Sequence, residues 1–196
     1  MRKYVQLTLI PEEASGITAP VLMNHVMEKL HQIFVQLKNE KDRVPAGLSF
    51  PEYDQEIPAL GKIIRLHAEE EVFEKMNTRR GLAALDDYLH VSAPRPVPEA
   101  KLKGYVAYSR VRHDHSRERL IRRRMKRHGL TREQAQKDYD DYERNSFPGY
   151  PFVLLSSKST GSQKYPIYLK QIFLNEPGKT YFNTFGINPS AGVEFF

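Results

Sequence analysis

The stretch that most constrains this chain runs from Ser116 to His128, where seven of thirteen residues are Arg or Lys and only Glu118 opposes them. Neither Pro nor Gly interrupts it, and Arg, Leu, Met and Lys all favour the helical state. Ser116 can cap the first turn and Gly129 can close the last, so the sequence predicts one helix between them. At about 100° per residue, five cations share one broad face and three residues lie toward the opposite side: Arg119, Arg122, Arg123, Lys126 and Arg127 against Leu120, Arg124 and Met125.

The positive charge of this region is a local patch. Between residues 101 and 128 there are eleven Lys or Arg and two Asp or Glu, a net charge of +9, whereas the whole chain carries +6. Like charges along one helix face repel each other unless a polyanion neutralises them. A solvated helix face is the alternative, but such faces normally mix charges of both signs. The patch therefore favours nucleic-acid binding.

The composition excludes several classes of protein. The chain has no cysteine, which excludes disulfides, a thiolate nucleophile and a cysteine-based zinc site. It has no apolar run long enough for a membrane span, and its first residues lack the apolar core of a signal peptide. We therefore expect a cytoplasmic protein, long enough at 196 residues to bury a substantial core.

Hydrophobic periodicity in the first 93 residues predicts six elements. They are a strand at 4–10, a helix that begins at Thr18–Pro20, strands at 48–50 and 62–67, a second helix in two pieces at 69–77 and 81–88 with a break near 78–81, and a strand at 89–92. The helix is expected to bury Leu22, Val26, Leu30, Phe34 and Leu37. The order strand, helix, strand, strand, helix, strand predicts an α+β fold with a ferredoxin-like (RRM-like) N-terminal domain.

A proline-rich segment follows. Three prolines between Pro94 and Pro98 predict an extended linker at residues 94–100. The linker is expected to divide the chain into a ferredoxin-like domain at 1–93 and a C-terminal RNA-binding half at 101–196 that carries the Arg-rich helix. In this half, a capping box at Thr131–Gln134 predicts a second helix to about Arg144, and strands are predicted at 105–111, 152–155, 165–173 and 181–185.

Four further motifs each leave two interpretations open. Residues 103–108 partly match an RNA-recognition motif, whose aromatic residues stack on bases, or form an ordinary strand. His113–His115 is either half of a metal site or an exposed loop, and the loop is favoured because no second pair of ligands follows. The hydroxyl-rich segment 156–162 suits phosphate or ribose, but a polar hairpin loop has the same composition. His31 borders the apolar stripe of the first helix, where a structural histidine is the simpler interpretation.

Taken together, the motifs resemble the CRISPR repeat-processing endoribonuclease of subtype I-F along essentially the whole chain. The landmarks occur in the family's order: Lys29–Gln32, Gly47–Pro51, Ser109–Val111, Glu118–Leu120, Arg122–Arg123, Met125–His128, Pro151–Val153, Ser157 with Ser159–Gly161, and Phe185–Gly186. The resemblance implies metal-independent cleavage of precursor CRISPR RNA at the base of the repeat hairpin, with no cofactor. It also implies that the product stays bound within an interference complex, whose other subunits are partners.

The resemblance further implies residue roles. His31 takes the place of the general base, or proton shuttle, for the 2′-hydroxyl, and Ser157 matches a serine that holds the ribose upstream of the cut. Arg110 matches an arginine that recognises a guanine at the stem base. Further RNA contacts are expected from the hydroxyl loop, the basic helix and one aromatic residue. They are Ser159, Thr160, Arg119, Arg122, Arg123, Lys126, Arg127 and Tyr165.

The expected chemistry is self-contained because RNA carries its own nucleophile. The site must remove a proton from the 2′-hydroxyl, hold the oxygen in line with the phosphorus and stabilise charge on the phosphoryl oxygens. An imidazole, which titrates near neutral pH, suits the first task. The expected products are a 2′,3′-cyclic phosphate and a 5′-hydroxyl.

Two positions depart from the family pattern. Phe185, which completes the predicted catalytic set, stands where the family has a tyrosine whose hydroxyl helps to place the histidine; Tyr181 and Tyr165 are candidate substitutes. Arg112 stands where the family has a glutamine. Because Arg suits guanine and Gln suits adenine, we predict guanine at the second pair from the stem base.

Two other functions stay open at this point. The first is a non-catalytic hairpin-RNA-binding subunit of a CRISPR ribonucleoprotein complex, which the missing hydroxyl at Phe185 favours. The second is a DNA-binding protein that places the basic helix in a major groove.

Overall fold

A computed structural model describes residues 2–112, 116–142, 149–156 and 164–196. The chain forms two compact units: Met1–Val111 with Gly149–Phe196, and Arg112–Pro148. Over the described residues the fold is a mixed α+β fold with two antiparallel sheets and five α-helices. No helix within these ranges is long and apolar enough to cross a membrane.

The first sheet of the larger unit contains the predicted N-terminal strands. Its strands are β1 (Lys3–Leu9), β2 (Gly47–Ser49), β3 (Ile63–Ala68) and β4 (Leu89–Val91), in the order β2-β3-β1-β4 and antiparallel throughout. Leu7 lies opposite Ile64, and both are fully buried. The apolar side chains of the alternating pattern in β1 therefore face the core, as predicted. A short strand, β5 (Arg95–Pro96), pairs with the beginning of β1 within the segment predicted as a linker.

Helix α1 (Ala19–Leu37) begins after Thr18 and carries Pro20 in its first turn, as predicted. Two shorter helices follow β3, α2 (Glu70–Met76) and α3 (Thr78–Leu82), and a 3₁₀ helix covers Ala83–Tyr88. The predicted break near 78–81 is wrong. The chain breaks at Asn77, whose φ of 43° is left-handed, and asparagine tolerates this conformation better than most residues.

The second sheet of the larger unit has the order β7-β8-β6-β9, also antiparallel. Its strands are β6 (Gly104–Val111), β7 (Phe152–Ser156), β8 (Lys164–Leu174) and β9 (Val193–Phe195). Residues from both sheets belong to one buried hydrophobic cluster. The hydroxyl of Tyr108 on β6 accepts a hydrogen bond from the backbone N–H of Phe50, at 3.0 Å. The division predicted around residues 94–100 stays a prediction.

The strand predicted at 181–185 is wrong. Phe182 makes only an isolated bridge to Val44, and the Asn183 side chain then turns the chain. Asn183 Oδ1 accepts hydrogen bonds from the backbone N–H groups of Phe185 (2.8 Å) and Ile187 (3.3 Å). Asparagine favours turns because its side chain can replace the strand partner of nearby backbone groups.

The smaller unit contains α4 (Arg117–His128) and α5 (Arg132–Lys137). Both predicted ends of the basic helix are confirmed: Ser116 Oγ accepts from the backbone N–H of Arg119, and Gly129 is left-handed. The capping box at Thr131 and Gln134 is also present. However, α5 ends at Lys137, earlier than the predicted helix end near Arg144. Arg144 itself lies outside the described residues.

Candidate active site and nucleic-acid interface

His31 lies on α1 and contacts the loop that follows Tyr181. Its Nδ1 atom is 2.7 Å from the backbone carbonyl oxygen of Thr184. A carbonyl oxygen can only accept, so this contact assigns the proton of the neutral ring to Nδ1. The Nε2 lone pair is then the basic atom of the ring.

The Phe185 ring stacks on the imidazole of His31. The ring centroids are 4.4 Å apart and the planes differ by 8°. Phe185 is itself partly buried and packs against the hydrophobic core. The ring therefore holds the plane of the imidazole, while the Thr184 carbonyl holds its rotation within that plane.

The loop that carries Thr184 and Phe185 is tightly constrained. Besides the two bonds to Asn183, the carbonyl of Gly186 accepts from the backbone N–H of Leu48 on β2, at 2.9 Å. Gly186 has a φ of 70°, and a Cβ there would lie 2.7 Å from atoms of both Leu48 and Phe34. Only glycine fits this position without displacing the loop.

The predicted hydroxyl loop is bounded but not described. Ser157, Ser159 and Thr160 lie outside the described residues. Strand β7 ends just before them at Ser156, and its Leu154 N–H donates to Asn24 Oδ1 on α1, at 2.8 Å. The strand that leads into the predicted hydroxyl loop is therefore tied to the helix that carries His31. His113–His115, the possible half of a metal site, also lies outside the described residues.

Two of the predicted RNA contacts lie together on the second sheet. The Arg110 guanidinium carbon, at the end of β6, lies 5.9 Å from the centroid of the Tyr165 ring on β8. Arg110 is exposed and Tyr165 is partly buried. This leaves the guanidinium of Arg110 accessible to a ligand.

The basic face of α4 is exposed, as predicted: Arg119, Arg122, Arg123, Lys126 and Arg127. Arg112, which precedes the helix, is exposed as well. Within the described part of the chain, none of these six cations forms an ion pair. Their charge is therefore not neutralised by the described carboxylates.

Two other arginines of α4 are paired. Arg117 binds Asp140 at 2.6 Å and Arg124 binds Asp138 at 2.8 Å, and Glu118 binds Arg132 of α5 at 2.8 Å. The predicted opposite side is confirmed, because Leu120, Arg124 and Met125 are partly buried, and Ile121 is the buried residue of the helix. The sequence signal for these ion pairs is the group of acidic residues that follows α5, since Asp138 and Asp140 are the partners of Arg124 and Arg117.

Sequence reasoning missed a buried polar cluster formed by Ser49, His67 and Glu194. Ser49 Oγ lies 2.9 Å from His67 Nε2, and His67 Nδ1 lies 3.2 Å from Glu194 Oε2. Burial lowers the pKa of His67, an effect that Glu194 opposes only partly. Burial alone would raise the pKa of the Glu194 carboxyl, but the contacts with His67 and the charge of Arg2 lower it. Ser49 and His67 are almost fully buried and Glu194 is partly buried, and the cluster joins β2, β3 and β9.

Comparison with known proteins identifies the family. The family model described as CRISPR-associated protein (Cas_Csy4) matches residues 4–196. A CRISPR-associated endonuclease Cas6/Csy4 of Pseudomonas aeruginosa (strain UCBPP-PA14) is 32% identical over 200 residues, covering all of both chains. A protein of the same name from Escherichia coli (strain UTI89 / UPEC) is 28% identical over 198 residues, again covering all of both. This agreement confirms the predicted resemblance: the chain belongs to the Csy4 family of CRISPR-associated proteins.

Proposed function

We propose that this protein is an endoribonuclease that matures CRISPR RNA by cutting the precursor at the base of the repeat hairpin. The family and the relatives named as endonucleases support this function. The observation that carries it is the 2.7 Å contact between His31 Nδ1 and the Thr184 carbonyl. That contact leaves Nε2 as a base on a ring whose orientation is fixed from two directions.

In the proposed reaction, His31 Nε2 takes the proton of the 2′-hydroxyl upstream of the cut. The 2′-oxygen attacks the neighbouring phosphorus, and the bond to the downstream 5′-oxygen breaks. That oxygen takes up a proton from water, so the products are a 2′,3′-cyclic phosphate and a 5′-hydroxyl, and the protonated His31 returns its proton to the solvent. The nucleophile belongs to the RNA, so we propose that the reaction is independent of metal and cofactor. Ser157 is proposed to hold the attacking ribose, with Ser159 and Thr160 on nearby RNA.

The proposed RNA grip is divided between phosphate contacts and base contacts. The exposed cations of α4 neutralise backbone phosphates, which gives affinity without sequence preference. The major groove of A-form RNA is too deep and narrow for side chains to reach the bases along the stem. Arg110 and Arg112 are therefore proposed to contact guanines only at the open end of the stem, with Tyr165 beside Arg110.

Proposals about the fold, the location and the partners accompany this function. The order β4-β1-β3-β2 of the first sheet, antiparallel throughout, supports a ferredoxin-like assignment for the N-terminal part. We propose that the protein acts in the cytoplasm, keeps the hairpin product and is joined by the other subunits of a type I-F interference complex.

The central test is incubation of the purified protein with the repeat RNA of its own host in EDTA, followed by product mapping. We expect one cut at the 3′ base of the hairpin, with a cyclic phosphate end. His31→Ala should abolish cleavage but retain hairpin binding. His25→Ala, an exposed histidine of the same helix, is the matched control and should cleave normally. Cleavage of RNA with a 2′-deoxy nucleotide upstream of the cut would refute the mechanism.

A non-catalytic hairpin-binding subunit is the second candidate, and Phe185 favours it because the phenyl ring offers His31 no hydroxyl. If wild-type protein binds all of the repeat RNA and the RNA is still intact after hours, this alternative is established. Stronger binding to duplex DNA than to the hairpin would instead indicate a DNA-binding protein. The proposed guanine contact of Arg112 is tested separately, because replacing G·C by A·U at the second pair should weaken binding by about 1–3 kcal/mol.

A further inference from the structure

A tyrosine and two cations lie on the surface next to the loop that holds His31. The Arg43 guanidinium carbon is 3.9 Å from the centroid of the Tyr181 ring, and Lys179 Nζ is 5.8 Å from it. Both cations are exposed and the ring is partly exposed. These three residues are called the Tyr181 cluster below.

Backbone contacts hold the cluster in place independently of the stack itself. The backbones of Val44 and Phe182, which follow Arg43 and Tyr181 in the chain, exchange two hydrogen bonds of 2.8 Å. Asn188 Nδ2 donates to the Tyr181 carbonyl at 2.9 Å, and Asn39 Oδ1 accepts from the Arg43 backbone N–H at 3.0 Å. These hydrogen bonds hold the two backbones without using the partly exposed ring or the exposed guanidinium.

The charge of the cluster is not neutralised locally. Among the described residues, Arg43 and Lys179 form no ion pair, and Lys41 beside them forms none either. Asp42 is paired with Lys38 at 2.6 Å, and Glu40 of the same turn forms no ion pair with any described residue. An aromatic ring flanked by free cations is the arrangement that binds unpaired nucleotides, because the ring stacks on the base and the cations contact phosphate.

We propose that the Tyr181 cluster is a subsite for an unpaired nucleotide in the single-stranded RNA that flanks the hairpin. The proposal rests on the proposed function. Tyr181 is three residues before Thr184, so the two Cα atoms lie at most about 11 Å apart. The cluster is thus within reach of nucleotides next to the phosphate that His31 would serve. Its base-stacking chemistry is the same for a nucleotide on the 5′ or the 3′ side of the stem.

The test compares three RNAs that carry the host's repeat hairpin, each with a 2′-deoxy nucleotide upstream of the cut so that binding is measured without cleavage. One RNA is the hairpin alone, one adds four unpaired uridines on the 5′ side, and one adds them on the 3′ side. We expect one extension to tighten binding by about tenfold, the effect of one stacked base. The side that gives the gain identifies the flank.

Two variants and a control assign that gain. Arg43→Gln and Tyr181→Leu should each remove most of the gain while leaving affinity for the hairpin alone unchanged. Arg43→Gln should also make the affinity for the extended RNA less dependent on salt. The slope of log affinity against log salt concentration should change by about 0.7, the value for one phosphate contact of a single strand. Arg80→Gln removes an exposed arginine of α3 and should change neither quantity.

The outcomes separate the inference from the proposed function. If the wild type binds the hairpin but neither extension adds affinity, or if both variants lose affinity equally for all three RNAs, the subsite is refuted and the function stands. If the wild type does not bind the hairpin at all, the proposed function fails and the subsite with it. Photo-crosslinking of wild type with 4-thiouridine in the flank gives a check that does not depend on variant folding. A crosslink to Arg43 or to residues 179–182 supports the subsite, and crosslinks only elsewhere overturn it.

Discussion

The stacking of Phe185 on His31 makes a quantitative prediction about catalysis. Phe185→Leu keeps an apolar side chain of similar size in the partly buried position, but removes the ring that faces the imidazole at 4.4 Å. The Thr184 carbonyl that His31 Nδ1 contacts is a backbone group, so this substitution does not remove it. The variant therefore isolates the contribution of the stack to the orientation of His31.

The expected loss of cleavage rate follows from the energy of the aromatic pair. An aromatic pair contributes about 0.5–1.5 kcal/mol beyond the area it buries. If this energy holds the imidazole in its productive plane, its loss raises the barrier by the same amount. At about 1.4 kcal/mol per factor of ten, cleavage should slow by about 2- to 12-fold.

Single-turnover cleavage with excess protein is the appropriate assay, because it measures the chemical step without product release. We expect the slower rate with hairpin affinity unchanged within about twofold. Phe173→Leu, which removes an exposed ring paired edge-to-face with Phe195 at 5.3 Å, is the matched control and should cleave at the wild-type rate. Cleavage by Phe185→Leu at the wild-type rate would refute the positioning role of the ring.

Three further outcomes are expected. Because burial lowers the pKa of His67, its contribution to the free energy of unfolding should be fully present above the ordinary histidine pKa of about 6.5 and should be lost as the pH falls below that value. Urea unfolding measured across this pH range should show the loss. His67→Asn, which cannot titrate, should not show it. Gly186→Ala should destabilise the fold by about 1–3 kcal/mol in the same assay, because its Cβ would press on Leu48, and unchanged stability would contradict the fit. Arg122→Gln should lower the salt dependence of hairpin binding, whereas Arg124→Gln, which removes an ion-paired arginine, should lower it less; equal changes would contradict the assignment of the free face.

The local elements were predictable because their determinants lie close together in sequence. The basic helix ends where Ser116 caps it and Gly129 closes it, and each of these signals acts within one turn. The capping box at Thr131 is equally local. By contrast, the segment after Tyr181 has strand-forming residues, yet it forms a loop because Asn183 Oδ1 accepts hydrogen bonds from the backbone N–H groups of Phe185 and Ile187.

The candidate site divides in the same way. The sequence identified His31 and Phe185 through family resemblance, and their roles stay predictions, but it could not reveal the Thr184 carbonyl, because every residue carries one. The cluster of Ser49, His67 and Glu194 was invisible for a related reason: its members belong to three strands, and Glu194 is far from the other two residues in the chain.

The sequence by itself determined the helix, its charge and its exposed cationic face, since periodicity and caps are properties of neighbouring residues. Only the tertiary structure decided which cations of the whole helix are free, because Arg117 and Arg124 are paired with Asp140 and Asp138. Only the tertiary structure likewise brought His31 to Thr184, 153 positions later in the chain. Contacts between residues so far apart depend on how helices and sheets pack, and no local pattern records that packing.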